Sequence, residues 1–111
     1  MTTNNVLHNK VAVITGGASG MGRAIAQAFV AAGAKVIVGD VNESGLSSLQ
    51  QELGAFALAA RCDVTLEEDV INLIALGEEK FDRIDIGINC AGASVPKPIL
   101  EIDAEEWDDT L

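Results

Sequence analysis

Thr15-Gly16-Gly17-Ala18-Ser19-Gly20-Met21-Gly22 is the stretch whose reading decides the fold. An apolar run, Val11-Ala12-Val13-Ile14, leads into it. A helical pattern leaves it, with Ile25, Ala28, Phe29 and Ala32 at i, i+3, i+4 and i+7. The order is strand, glycine-rich turn, helix. Gly16 permits a tight turn off the strand end, and Gly20 leaves no side chain between backbone and ligand. Gly22 lets the new helix pack closely on the sheet. Unpaired amide hydrogens at the helix N-terminus, with its positive dipole end, then make a seat for a pyrophosphate. A plain glycine-rich turn would carry the same glycines. The strand before, the amphipathic helix after and an acidic residue downstream favour dinucleotide binding.

Outward from this turn the chain alternates. Strand one covers Lys10 to Thr15, and its helix ends at Gly33, a C-cap. Strand two is Lys35 to Asp40, followed by a helix from about Ser44 to Leu53 that Gly54 ends. Ala55-Phe56-Ala57-Leu58-Ala59-Ala60 reads as helix or strand. Its place in the alternation makes at least the latter half a strand. Thr65-Leu66-Glu67-Glu68 is a capping box for a third helix whose apolar face is Val70, Leu73, Ile74 and Phe81. Gly77 interrupts that face at a cost of roughly 1 kcal/mol against Ala. Strand four is Ile84 to Asn89, and after Pro96 and Pro98 a second capping box, Asp103-Ala104-Glu105-Glu106, opens a fourth helix. Near-continuous apolar strands between helices imply a parallel sheet covered on both faces. Right-handed crossovers give strand order 3-2-1-4. The expectation is one Rossmann-type, doubly wound α/β domain over residues 1–111, present only in part.

Bulk properties set limits. The 111 residues allow one domain with a real core, and 49% hydrophobic content with 11 glycines suits a buried parallel sheet. Seventeen acidic against seven basic residues give a net charge of −10, which repels phosphate backbones and argues against nucleic acid as a partner. Met1 to Asn9 is polar, with no signal-peptide core, and no stretch approaches the ~18 apolar residues of a membrane helix. A cytoplasmic protein with no membrane partner is the expectation. Cys62 and Cys90 fall near the ends of different strands without metal-ligand company, and read as reduced, semi-buried thiols. His8 reads as a surface residue.

Asp40 ends strand two, close to the ~20-residue spacing at which a carboxylate accepts hydrogen bonds from adenosine ribose hydroxyls. A 2′-phosphate there would meet like charge, so NAD is expected over NADP. A turn aspartate is the alternative reading of Asp40, and the upstream glycines favour ribose recognition.

Three further marks follow the turn in order: Asp40, Asp63-Val64, and Asn89-Cys90-Ala91-Gly92. Together with the T-G-x-x-x-G-x-G spacing from Thr15 to Gly22, they make the chain after Asn9 resemble the short-chain dehydrogenase/reductase family. That resemblance implies that Gly16, Ser19, Gly20, Met21 and Gly22 hold the cofactor. It also implies that the Asp63 carboxylate faces the adenine amino group and the Val64 amide faces a ring nitrogen. Read without it, Asp63 is as well explained as a strand-end aspartate before a Thr N-cap. Asn89, Cys90, Ala91 and Gly92 stand where the family has N-N-A-G, with Cys90 replacing its second Asn. Small Ala91 and Gly92 would let the cofactor approach the backbone. Neither Ser19 nor Val41 and Asn42 offers the basic side chain that NADP-using relatives carry nearby.

By the same resemblance the family oxidises alcohols or reduces ketones with an Asn-Ser-Tyr-Lys set, in which a nearby Lys lowers the Tyr pKa. This sequence contains no Tyr, and none of its residues earns a catalytic label. The expectation is the cofactor-binding N-terminal half of an NAD-dependent oxidoreductase, ending inside its fourth helix. The complete enzyme would act on a small alcohol or ketone, as a homo-oligomer. A non-catalytic dinucleotide-binding module is the alternative. A Rossmann-like protein without cofactor and a methyltransferase are disfavoured by Asp40, Asp63-Val64 and the Asn89–Gly92 run.

Overall fold

β1 is Val11–Thr15, and all five of its residues are buried. Alternate side chains of the central strands enter two different cores, which is why the sequence shows continuous hydrophobicity and not alternation. The computed structural model describes residues 6–18 and 20–90, together with the backbone of residues 102–103. After β1 come α1 (Gly20–Ala31), β2 (Lys35–Asp40), α2 (Glu43–Leu53), a 3-10 turn (Gly54–Phe56) and β3 (Ala57–Arg61). Then follow α3 (Glu67–Phe81), β4 (Ile86–Asn89) and the two-residue β5 (Ile102–Asp103).

All strand pairings are parallel, in the order β3-β2-β1-β4-β5. The four longer strands thus form the expected partial Rossmann sheet. Ala12, Ile14, Val36, Val38 and Ile88 pack with Ala26, Phe29 and Leu49 of α1 and α2 on one face. Val11, Val13 and Ile37 pack with Val70 and Leu73 of α3 on the other. Full burial of side chains such as Phe29, Ile37 and Leu49 contributes about 1.5–3 kcal/mol each. Cys62 and Cys90 follow β3 and β4, which two other strands separate, and neither is disulfide-bonded.

Several local expectations change. Asn42, not Ser44, sets the start of α2: its side chain accepts from Gly45 N at 3.1 Å. The capping box at Thr65 does not form. The Thr65 hydroxyl and amide both donate to Asp63 Oδ1 (2.6 and 2.9 Å), so α3 begins one residue later, with Leu66 at its N-cap. A nearby aspartate offered Thr65 a tighter local partner than the helix terminus did. β4 starts at Ile86, not Ile84, because the Asp85 carboxylate takes the Val11 amide at 2.9 Å in place of a ladder carbonyl. Asp103, expected to cap a fourth helix, lies in β5, and the rest of that expected helix falls outside the described residues. Gly77 is more than an interruption. A Cβ there would meet Ile37 Cδ1 at 2.6 Å, so its absence lets α3 lie close against β2.

β3 is the outer strand on its side of the sheet, and its open edge is covered by one side chain. The Gln50 amide donates to Ala57 O at 2.7 Å and accepts from Ala59 N at 2.9 Å. Those are the two bonds a neighbouring parallel strand would make around Leu58.

Candidate functional site

The carboxyl ends of the strands bring Thr15, Asp40, Asp63 and Asn89 to one edge of the sheet. The chain leaves β1 in one direction to β2 and β3, then returns to the other side of β1 as β4. Such a reversal, here beside β1, is the place where open α/β sheets take ligands.

The glycine turn stands at this point, between the end of β1 and the start of α1. Gly16 turns off β1 with φ 72° and donates its amide to Gly39 O at 2.7 Å. Gly22 is the point of closest approach: a Cβ there would lie 2.0 Å from Gly16 O. Gly20 differs, with φ 58° and, among the described residues outside its own helix and chain neighbours, no atom within 4 Å of a built Cβ. The turn therefore packs inward at Gly22 and, among the described residues, meets no neighbour at Gly20. Met21, also in the first turn of α1, is 60% exposed. Ser19, Ala91 and Gly92, all expected in the site, lie outside the described residues.

Asp40 bridges the turn to the start of α2. Its Oδ2 accepts from Ala18 N at 3.0 Å, and its Oδ1 accepts from Val41 N (2.7 Å) and Asn42 N (3.1 Å). Three backbone donors hold the carboxylate in one orientation at the strand end. Asp63 sits one strand outward. The Thr65 hydroxyl and amide that bond it hold its carboxyl below the ordinary carboxylate pKa. Its own amide donates to Asp69 Oδ2 at 3.0 Å. Val64 is buried in the core on the α3 side. Burial, reinforced by the charges of Asp69 and Asp63, pushes the Cys62 thiol up to about 11.

On the opposite side of β1, Asn89 Oδ1 accepts from the Thr15 hydroxyl at 2.8 Å, and Cys90 N donates to Thr15 O at 2.8 Å. Thr15 is fully buried, and this bond joins the start of the glycine turn to the end of β4. The sequence reading noted Thr15 only as part of the spacing. It missed Arg23 altogether. The Arg23 guanidinium donates to Ala18 O (3.2 Å), Gly45 O (3.3 Å), Ser48 Oγ (3.1 Å) and Glu52 Oε1 (2.9 Å), tying α1 and the turn to α2. An Arg just inside a helix that follows a glycine turn was the available signal, but apart from Ala18 its partners, Gly45, Ser48 and Glu52, are more than 20 residues away in sequence.

The arrangement offers a ligand exposed backbone at a helix N-terminus, where negative charge is favoured, and an oriented carboxylate on the neighbouring strand. Among the described residues no cluster of His, Cys, Asp and Glu could hold a metal ion. Among them, too, no helix is long and apolar enough to cross a membrane.

The family model described as short chain dehydrogenase matches residues 10–111. The chain belongs to the short-chain dehydrogenase/reductase family. An uncharacterised oxidoreductase of Mycobacterium bovis is 41% identical over 109 residues, a match covering 96% of this chain and 44% of that protein. Among solved structures, a 3-ketoacyl-(acyl-carrier-protein) reductase from Brucella melitensis, complexed with NADH, superposes with a TM-score of 0.74 at 35% identity. That match covers 93% of this chain and 43% of the reductase. A short-chain dehydrogenase/reductase from Burkholderia phymatum in complex with NAD gives 0.71 at 33% identity, covering 79% of this chain and 31% of its own. This short-chain dehydrogenase/reductase chain spans less than half the length of these relatives.

Proposed function

We propose that this chain is the NAD-binding part of an oxidoreductase that transfers hydride between nicotinamide and a secondary alcohol or ketone. One observation carries the reading: Asp40 is held at the end of β2, bonded to the glycine turn through Ala18, with no described neighbour against the Cβ position of Gly20. The backbone of Gly16, Ser19, Gly20, Met21 and Gly22 seats the pyrophosphate, and a Cβ at Gly20 would stand in the space it needs. Asp40 takes an adenosine ribose hydroxyl with the acceptor site left on Oδ2. Its charge repels a 2′-phosphate, and Arg23, the cation beside the turn, is engaged with Glu52. NAD is therefore preferred to NADP.

The Asp63 carboxylate and the Val64 amide bound the adenine, and the family's pattern assigns the run Asn89-Cys90-Ala91-Gly92 to the rest of the cofactor. Bound NAD supplies the hydride-accepting or hydride-donating ring. The chain's own residues bind and orient it, and none of them moves the substrate proton. The NADH and NAD complexes of the two structural relatives support this reading. Calorimetric titration of the chain with NAD tests it. Saturable one-to-one binding, tighter than for NADP, is expected. Absence of binding at millimolar NAD would overturn the proposal.

A further inference from the structure

We propose that Arg23 is a positioning residue for the dinucleotide: with Asp40 it clamps the backbone of Ala18 and so fixes where the glycine turn presents its amides. The inference rests on the dinucleotide reading above and deepens it. Ala18 is buried, and both of its backbone polar groups are held by charged side chains of opposite sign. Its amide donates to Asp40 Oδ2 at 3.0 Å, and its carbonyl accepts from Arg23 Nη1 at 3.2 Å. The same nitrogen reaches Gly45 O at 3.3 Å, in the first turn of α2. The other terminal nitrogen holds Ser48 Oγ and Glu52 Oε1. Gln27 then donates to both Glu52 oxygens, at 3.2 and 2.9 Å. α2 comes up against Ala18 directly as well, since a Cβ at Gly45 would lie 3.0 Å from Ala18 Cβ and from Ala18 O.

A glycine-rich turn needs such a clamp. Gly16 and Gly20, on either side of Ala18, both have positive φ (72° and 58°), a region that glycine enters and leaves freely. Fixing Ala18 from two sides removes that freedom before the ligand arrives, and preorganisation of this kind raises affinity without adding a contact. Arg23 acts through the backbone, its charge being offset by Glu52. The planar fork is what lets one side chain reach two carbonyls, a hydroxyl and a carboxylate. A lysine ammonium carries the same charge without that geometry.

The test compares ADP, which carries the pyrophosphate, with adenosine, which does not, on the full chain by calorimetry. Arg23→Ala is expected to weaken ADP binding about tenfold or more, the loss that removing a charge-assisted hydrogen bond produces, with adenosine affinity unchanged. Arg23→Lys keeps the stem and the charge and is expected to lose ADP affinity likewise. It carries the comparison if Arg23→Ala does not fold by circular dichroism. Full ADP affinity in Arg23→Lys would overturn the inference in favour of simple charge. Equal losses for ADP and adenosine would overturn it in favour of a general structural role. Unchanged ADP binding in both variants would overturn it outright. An unsubstituted chain that binds neither ligand would instead remove the dinucleotide reading, and this inference with it.

Discussion

Replacing Gly22 with Ala attacks the point where α1 and the glycine turn touch. The added Cβ would stand 2.0 Å from Gly16 O, 2.8 Å from Gly16 C and 2.9 Å from Gly17 Cα. All three are backbone atoms, so no side chain can swing aside. Non-bonded contacts of this kind settle near 3.5 Å, and the turn or the helix must retreat by roughly 1 Å or more. Overpacking costs about 1–3 kcal/mol, and backbone on the receiving side puts this site at the upper end. Against that, Ala gains about 1 kcal/mol of helix propensity over Gly. The net loss is about 2 kcal/mol. With a urea slope of about 1–3 kcal/mol/M, the unfolding midpoint should fall by about 1 M. Circular dichroism of urea unfolding reads it. Gly20 supplies the contrast, because nothing among the described residues crowds its Cβ position and its φ of 58° is what resists substitution. Gly20→Ala should therefore cost about 1–2 kcal/mol, and Gly20→Asn less, since Asn tolerates left-handed backbone. A Gly22→Ala protein with a midpoint at or above the parent's would refute the close-approach argument.

Asp40→Ala should weaken NAD binding by about 1.5–3 kcal/mol and narrow the gap to NADP, read from the two dissociation constants. An unchanged NAD/NADP ratio would remove Asp40 from ribose recognition. Gln50→Ala strips the cover from β3, leaving Ala57 O and Ala59 N without it. The expected outcome is a loss of about 1–3 kcal/mol of stability and concentration-dependent self-association in sedimentation. Stability should also vary with pH at both extremes. The Cys62 thiol is raised to about 11 in the folded chain, so above pH ~9 the unfolded state ionises first and stability falls. Cys62→Ala should abolish that alkaline limb. Asp63 and Asp85 have depressed folded pKa values, so their contribution is present at neutral pH and fades as pH drops below about 4.

The sheet was legible because its signals are redundant. Continuous apolar runs at β1 and β2, glycines at Gly33 and Gly54, and the turn at Gly16 to Gly22 all point to one topology. The place of Asp40 at the end of β2 was legible for the same reason, since the strand follows the glycine turn and its helix. What escaped depends on partners distant in sequence or on local competition. Arg23 has nothing beside it in the sequence to announce Gly45, Ser48 or Glu52. Asp85 trims β4 only because Val11, on another strand, offers an amide. At Thr65 the spacing of a capping box was present, yet Asp63 took the hydroxyl first. α3 ends at Asp82 with φ 71°, a left-handed cap built without the glycine that usually marks one. Gly77 looked like a cost in helix propensity, and its worth appears only once Ile37 lies against it.

The central claim is that the glycine turn and the ends of β2 and β3 hold one dinucleotide. The most direct test is NAD titration into the isotopically labelled chain, followed by amide chemical shifts. Saturating shifts are predicted at Ala18, Gly20, Met21, Asp40 and Val64, fitting one dissociation constant, with Lys35 and Glu78 at the far end of the sheet unmoved. Absence of shifts, or shifts gathered at that far end, would contradict the claim.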